Sequence, residues 1–371
     1  MLRRVCQWVV PKMDFSDGGW WIIDDTGFPK KGRHSVGVAR QYCGMLGKQD
    51  NCQVAVSISL ASNQGSLPVA WQLYLPEDWA ADPERRAKAG VPEEVRFATK
   101  AQIALKQLRA LLAQGAPHHC VLADAGYGVD NTFRQARSDM GLLYAVGVTS
   151  AVVVWPPGVT PLSPEPYSGM GRPPVMPRRT PALQPVSVKA LAQSLPSRAC
   201  QNISWREGNE PLTGRFAAVR VRHAGGNTGK ARLRPEQWLL IEWPAKDAEP
   251  SKYVLSTLPE GTPINELVSV AHQRCRIERD YQDLKQDFGL GHYEGRGWRG
   301  FHHHAALSIA AYGFLMAEHL VTDKSVGCKK NFIQRQVPAV PKDYIPRGSP
   351  ARAAARGHLD HDTAPSASAI S

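Results

Sequence analysis

A proline-rich block divides this chain of 371 residues into two parts that must fold around it. Ten prolines fall between residues 155 and 185, with Gly and Ser among them. Because proline has no backbone N–H and a fixed φ, such a stretch cannot continue a helix or lie inside a sheet. The block is therefore predicted to be a loop or linker, and regular elements are expected on either side of it.

The part before the block has the pattern of a mixed α/β sheet, since apolar runs of strand length alternate with helical periodicity. The predicted strands are 20–23, 53–60, 69–75, 119–123 and 142–146, and the predicted helices are 92–112 and 131–140. After the block come a short helix, further β-like runs and then long helices. These are a helix at 188–195, strands at 201–205, 216–221, 238–243 and 253–257, and helices at 264–288 and 304–320.

This order predicts an α/β core interrupted by a β-rich insertion, with a helical C-terminal part. Residues 1–17 show no clear element, and the end of the chain is rich in Pro, Ala, Arg and Ser, so we expect it to be poorly ordered. The predicted organisation is an N-terminal segment, first core part, Pro-rich loop with β-rich insertion, helical second core part and tail, at 1–17, 18–150, 151–260, 261–322 and 323–371.

Charge and cysteine content narrow the functional class. The 45 Lys and Arg against 33 Asp and Glu give a net charge of +12, which points to a polyanionic partner, most simply nucleic acid, with a soluble enzyme that is merely basic as an equally weighted alternative. The seven cysteines form no Cys-x-x-Cys pair, which argues against a disulfide framework or zinc ribbon and fits a reducing cytosol. With no signal peptide recognised and no apolar run near the roughly 18 residues that span a bilayer, we expect a cytoplasmic protein without a membrane partner.

Three acidic residues lie where ligand-binding carboxylates are expected. Asp24 follows the first predicted strand, Asp124 follows the fourth, and Glu278 lies within a long helix. Carboxylates at strand ends project into the crevice of an open sheet, and hard oxygen ligands suit Mg²⁺. Each aspartate alone is more often a turn former or helix cap, and a helix glutamate is more often solvated or ion-paired. Only their joint arrangement favours a metal-dependent nuclease or strand transferase.

The helix around Glu278 adds a second indication. At 100° per residue, Arg274, Tyr281 and Lys285 lie on the same stripe as Glu278. A carboxylate flanked by two cations and a phenol suits a metal site beside a phosphate backbone. The alternative is an ion pair between residues four apart on a surface helix.

Several segments, in order, resemble the DDE transposases of bacterial insertion sequences, most closely the insertion-sequence family numbered seven-oh-one. They are residues 23–32, 35–42, 73–76, 122–128, 205–208, 276–281 and 294–300. The resemblance implies an RNase H-like core that holds two Mg²⁺ ions, with Mn²⁺ as a substitute. It assigns Asp24, Asp124 and Glu278 as catalytic metal ligands, with Asp25 as the second choice for the first acid.

The resemblance also implies DNA transposition: cleavage at the transposon ends and strand transfer into target DNA by a homodimer, in the bacterial cytoplasm at the nucleoid. In the wider group the glutamate helix carries a Tyr-x2-Arg-x3-Glu-x6-Lys signature. Arg274, Glu278 and Lys285 match it, whereas Ala271 replaces the tyrosine, and Tyr281 is the nearest substitute for its DNA contact.

Further DNA contacts are predicted outside that helix. Trp205 is the candidate for stacking on a flipped base, and the alternative is a core tryptophan. The predicted phosphate contacts, each of which has a solvated basic turn as its alternative, are Lys30, Lys31, Arg33, Arg296 and Arg299.

One departure from the family concerns the N-terminus, where 23 residues precede Asp24 and family members carry a region of about a domain's size. This predicts a truncated open reading frame or a remnant with a replaced start. Two alternatives to an active transposase therefore stay open, a catalytically inactive DNA-binding remnant and an RNase H-like nuclease that does not transpose.

Overall fold

The computed structural model describes residues 1–326 except 17, 160–161, 163, 172, 174–179, 181–182, 208–209 and 225–233. The strands of the first part are Trp20–Pro29 (β1), Ala39–Cys43 (β2), Lys48–Ala61 (β3), Ser66–Leu73 (β4), Cys120–Ala123 (β5) and Tyr144–Val148 (β6). Its helices are Leu2–Val9 (α1), Glu77–Ala80 (α2), Pro83–Ala89 (α3), Lys100–Ala113 (α4), Ala125–Gly128 (α5) and Asn131–Asp139 (α6).

The central strands lie in the order β4-β3-β1-β5-β6. β3 is antiparallel to both β1 and β4, whereas β5 is parallel to both β1 and β6. An antiparallel meander followed by two parallel strands is the RNase H-like arrangement, so the predicted fold class is confirmed. The central strands are apolar over most of their length because helices cover both faces of the sheet.

The insertion continues this sheet. Its strands are Val153–Trp155 (β7), Val186–Ser187 (β8), Gln201–Glu207 (β9), Glu210–His223 (β10), Gln237–Glu242 (β11) and Lys252–Ser256 (β12), and its helix is Val188–Ser194 (α7). β12 pairs with β6, and β11 and β10 follow, so backbone hydrogen bonds run from the core into the insertion. β7 pairs with β8, which brings the two ends of the proline-rich block together. The predicted domain boundaries themselves stay predictions.

Three helices complete the described chain: Ile264–His272 (α8), Cys275–Gln286 (α9) and Trp298–Val326 (α10). α9 packs on β1 and β4, where Trp20 and Ile22 form one apolar cluster with Ile277 and Tyr281. The prediction of a single helix over 264–288 is wrong, because α8 ends at His272 and a second helix begins at Cys275, which leaves a break between them. Neither Pro nor Gly stands at the break, so no local signal marks it.

Other differences from the predicted elements have local causes. The helix predicted from residue 92 begins at Lys100, because Thr99 and Gln102 form a reciprocal capping box there. α1 was not predicted, and it depends on tertiary contact: Trp8 stacks on Phe314 of α10 with ring centroids 5.7 Å apart. The poorly ordered tail predicted for 323–371 falls almost entirely outside the described residues.

α10 corrects the expectation that no apolar stretch is long enough to span a bilayer. Its residues Trp298–Thr322 are sufficient by length and composition, with a mean hydropathy of 1.3. However, 44% of the apolar window is buried inside the protein, and the helix packs on α1 and β4. A core helix of a globular domain has the same properties.

A close backbone contact joins α5 to the sheet at two glycines. A Cβ at Gly128 would lie 1.8 Å from the carbonyl oxygen of Gly147 in β6. We predict that Gly128→Ala lowers the free energy of unfolding by about 2–3 kcal/mol, since a clash with backbone cannot be relieved by a rotamer change. Urea denaturation measures the loss. In the control Gly261→Ala, where nothing lies within 4 Å, stability should stay within about 0.5 kcal/mol, and equal stability of the two variants would contradict the packing.

Candidate active site

Asp24 and Asp124 are brought together by strand pairing. The parallel ladder between β1 and β5 ends at the pair Ile23 and Ala123, and each aspartate is the next residue in its chain. The two carboxylates therefore stand side by side at the carboxyl edge of the sheet. Both line a cavity of about 820 Å³.

Asp124 also begins α5, where its Oδ1 accepts a hydrogen bond from the backbone N–H of Tyr127 at 3.3 Å. The helix-cap alternative considered for this aspartate is therefore present in the structure. It does not exclude a ligand role, because a carboxylate has several lone pairs and Asp124 still lines the cavity.

Asp24 is a largely buried carboxylate with too little positive charge around it. Its Oδ1 accepts from the N–H of Asp25 at 2.8 Å, and its Oδ2 lies 3.4 Å from Nη1 of Arg274. Burial raises the pKa of Asp24 to about 7, against the lowering effect of Arg274, and the charge of Asp124 raises it further. A cation placed here would stabilise the ionised form.

Asp25 differs from Asp24 in its partner. Asp25 lines the first cavity as well, but its carboxylate forms an ion pair with Lys100 of α4 at 2.8 Å between Oδ2 and Nζ. Asp24 instead shares Arg274 with the glutamate of α9. The geometry thus favours Asp24 over Asp25 as the first acid of the site.

Glu278 is joined to Asp24 through Arg274. Nη2 of Arg274 lies 2.5 Å from Oε1 of Glu278, while its Nη1 faces Asp24. The guanidinium therefore bridges the first and third acids. Asp124, Arg274 and Glu278 also line a second cavity of about 420 Å³ on the insertion side, together with Glu207, Glu242 and His272.

The predicted stripe on α9 faces the first cavity, since Arg274, Glu278, Tyr281 and Lys285 all line it. Tyr281 is buried, and its hydroxyl lies 2.8 Å from the Ser57 hydroxyl. Lys285 donates to the carbonyl oxygen of Gly27 at 2.9 Å, and burial lowers the pKa of its ammonium group. Both side chains therefore connect α9 to the sheet by hydrogen bonds and also line the cavity.

The predicted basic contacts fall into two groups. Lys30 is mostly buried: its ammonium group donates to the carbonyl oxygen of Tyr293 and lies 4.0 Å from the Glu294 carboxylate. The remaining four are exposed on two adjacent segments, which are joined by a hydrogen bond from Val36 N–H to the Arg296 carbonyl oxygen. These four are Lys31, Arg33, Arg296 and Arg299.

Trp205 lies in the insertion, half-buried and in contact with other rings. Its ring centroid is 4.2 Å from that of His272 and 5.4 Å from that of Phe216, and its indole N–H donates to Glu207. It lines neither of the two cavities described above, whereas His272 and Phe216 line the second. This placement resembles that of a core tryptophan, the alternative considered from the sequence.

Comparison with known families agrees with this geometry. The family model described as DDE superfamily endonuclease matches residues 1–211, more than half of the chain. The chain belongs to this DDE endonuclease family. The match includes two of the three acids, Asp24 and Asp124.

Two individual proteins are similar to this chain. A probable transposase for insertion sequence element IS701, from Microchaete diplosiphon, is 34% identical over 130 residues, which is 35% of this chain. The match spans 31% of that relative's length. The solved structure of a piggyBac transposase synaptic complex with hairpin DNA has a TM-score of 0.42 and 10% identity, covering 82% of this chain and 48% of its own.

DDE superfamily endonucleases depend on divalent metal ions, and the donor set here fits one chemically. The carboxylates of Asp24, Asp124 and Glu278 supply hard oxygens around one cavity, and a guanidinium already sits where positive charge is needed. Within the described part of the chain, however, no three His, Cys, Asp or Glu side chains are close enough together to hold one ion. Arg274 contacts both Asp24 and Glu278, so a cation bound to these carboxylates would compete with its guanidinium.

Several residues of the site were not predicted from the sequence. Lys100 ion-pairs with Asp25 at the start of α4, and its position was a usable signal, because a lysine in the first helical turn opposes the helix dipole. Glu207, Glu242 and His272 reach the second cavity only through the pairing of the insertion strands and the break before α9. No local pattern identifies them.

We predict that Arg274→Gln lowers the free energy of unfolding of the metal-free protein and that a divalent metal ion restores it. Without the guanidinium, Asp24 and Glu278 lose the cation between them, at a cost of about 1 kcal/mol for a partly exposed pair. Urea denaturation in EDTA and in Mg²⁺ or Mn²⁺ measures this difference. Arg279→Gln, an exposed cation on the same helix, is the control. Equal losses with and without metal would show that Arg274 does not occupy a cation position.

Proposed function

We propose that this chain catalyses the metal-dependent DNA cleavage and strand transfer of an insertion sequence. The observation that carries the proposal is the register of β1 and β5, which places Asp24 and Asp124 side by side in a cavity that Glu278 also lines. The resemblance of part of the chain to a probable IS701 transposase supports transposition rather than another endonuclease reaction.

The proposed ligands are Asp24, Asp124 and Glu278, and the proposed metal is a pair of Mg²⁺ ions, for which Mn²⁺ can substitute. Bound there, the pair supplies an activated water or 3′-hydroxyl and stabilises the leaving oxygen of the phosphodiester. Arg274 balances the negative charge in the metal-free site, and Asp25 stays paired with Lys100.

The cations of the first cavity orient the DNA backbone in this proposal. Lys100, Arg274 and Lys285 line its wall beside the acids, so a phosphate that enters meets positive charge on more than one side. The exposed basic segments with Lys31, Arg33, Arg296 and Arg299 extend this charge outside the cavity. Lys30 contributes indirectly, by holding one segment to the other.

The remaining parts of the proposal concern the DNA complex. Because the Tyr281 hydroxyl is bonded to Ser57, only the part of its ring that lines the first cavity is available to contact DNA. Trp205 has to move away from the His272 ring before it can stack on a flipped base. Two transposon ends require two active sites, so we propose a homodimer that acts on DNA in the bacterial cytoplasm, at the nucleoid.

We predict that the protein nicks labelled transposon-end DNA in Mg²⁺ or Mn²⁺. Asp24→Asn, Asp124→Asn and Glu278→Gln should each reduce the rate by at least about 100-fold, because each removes a charged ligand of the metal pair. Asp25→Asn is the matched control, since its carboxylate lines the same cavity but is ion-paired with Lys100. Its rate should stay within about 3-fold of the unmodified chain.

The outcomes separate the three functions considered. Nicking followed by joining to a target duplex supports transposition, and nicking of any duplex without joining supports a nuclease. Binding without cleavage at any metal concentration supports an inactive remnant. A rate lost in Asp25→Asn but kept in Asp24→Asn would reverse the assignment of the first acid.

A further inference from the structure

A buried carboxylate on the reverse side of α9 receives hydrogen bonds from three separate elements. Asp280 is 1% exposed. Its Oδ2 accepts from the Ser59 hydroxyl of β3 at 2.7 Å, and its Oδ1 accepts from the Ser66 hydroxyl of β4 at 2.5 Å and the Tyr312 hydroxyl of α10 at 3.2 Å. Since it lies two residues after Glu278, Asp280 projects from roughly the opposite side of the helix.

The neighbouring residue makes a parallel connection to the same strand. The hydroxyls of Tyr281 and Ser57 are 2.8 Å apart, and both are buried. In the register of β1 and β3, Ser57 is paired with Asp24, and Ser59 is paired with Ile22. The strand that holds α9 through two serines is therefore the one whose backbone is bonded to the strand of Asp24.

We propose that Asp280 is a positioning residue for the active site: its three hydroxyl contacts set the distance of Glu278 from Asp24. This inference rests on the proposed metal-dependent cleavage. Burial of apolar surface alone fixes the helix less well, because apolar contacts have no direction and permit sliding and rotation. Three hydroxyls that converge on one carboxylate from β3, β4 and α10 fix both the rotation of the helix about its axis and its position along that axis.

The carboxylate geometry offers an unusual control. In Asp280→Asn, Oδ1 still accepts from Ser66 and Tyr312, and the new amide donates to Ser59, whose hydroxyl rotates to accept it. The contacts therefore survive while the charge is lost. In Asp280→Ala all three contacts are lost. Positioning predicts that only the alanine variant is impaired, whereas an effect of charge on the metal site predicts that both are.

The first measurement is steady-state nicking of transposon-end DNA by the full chain over a Mn²⁺ titration. We expect Asp280→Ala to lower kcat by about 10- to 100-fold and to raise the Mn²⁺ concentration for half-maximal rate, with KM for DNA changed less than about 3-fold. Asp280→Asn should restore most of kcat. Asp283→Ala, a buried carboxylate one turn further along α9, is the matched control. Equal loss in the alanine and asparagine variants would overturn the proposal.

The second measurement does not require activity. Amide hydrogen exchange of the metal-free chain should show faster exchange across Cys275–Gln286 in Asp280→Ala and unchanged exchange in Asp280→Asn. Where the alanine variant does not fold, Ser59→Ala with Ser66→Ala removes two contacts and leaves the carboxylate in place. Unchanged exchange of α9 in these variants overturns the positioning role even when no variant nicks DNA. Absence of nicking in the unmodified chain, with α9 loosened as expected, would instead overturn the proposed function alone.

Discussion

The parallel backbone pairing of β1 with β5 is the constraint on which the rest of the site depends. Its last pair, Ile23 with Ala123, brings together two carboxylates that are 100 residues apart in the sequence, Asp24 and Asp124. Side chains alternate along a strand, so a shift of one residue in β1 would turn Asp24 to the other face and present Asp25 instead. The apolar residues Trp20 and Ile22, buried on the same face against α9, hold this register.

The third carboxylate is attached by a different kind of interaction. Glu278 lies on a helix, and helices are joined to sheets by side chains rather than by a backbone ladder. In this structure α9 reaches β1 through Lys285, β3 through Tyr281 and Asp280, and Asp24 through Arg274. These contacts are few and specific. The first two acids are therefore set by the fold, while the third depends on the identity of individual side chains behind and beside it.

The sequence predicted the parts of the molecule that local pattern determines. The alternation of Val54, Val56 and Ile58 identified β3, and the run before Asp124 identified β5. The position of Asp124 after a strand end followed from β5, whereas Asp24 lies inside β1, which continues to Pro29 instead of ending at Ile23. Local pattern does not reveal features that depend on tertiary contacts. Helix α1 is stabilised by packing against α10, and α8 and α9 are separate helices although neither Pro nor Gly lies between them. Likewise, no local pattern marks Asp280 as a buried residue, although it is 1% exposed.

The insertion contributes to the site because it extends the same sheet. β12 pairs with β6, and the strands that follow bring Glu207 and Glu242 to the second cavity. Asp124, Arg274 and Glu278 thus line both cavities, the first together with Asp24, Asp25, Lys100 and Lys285 and the second together with Glu207, Glu242 and Lys252. Rotating the insertion about its attachment would break the ladder between β6 and β12, so the sheet that positions the aspartates also fixes the insertion residues that line the second cavity.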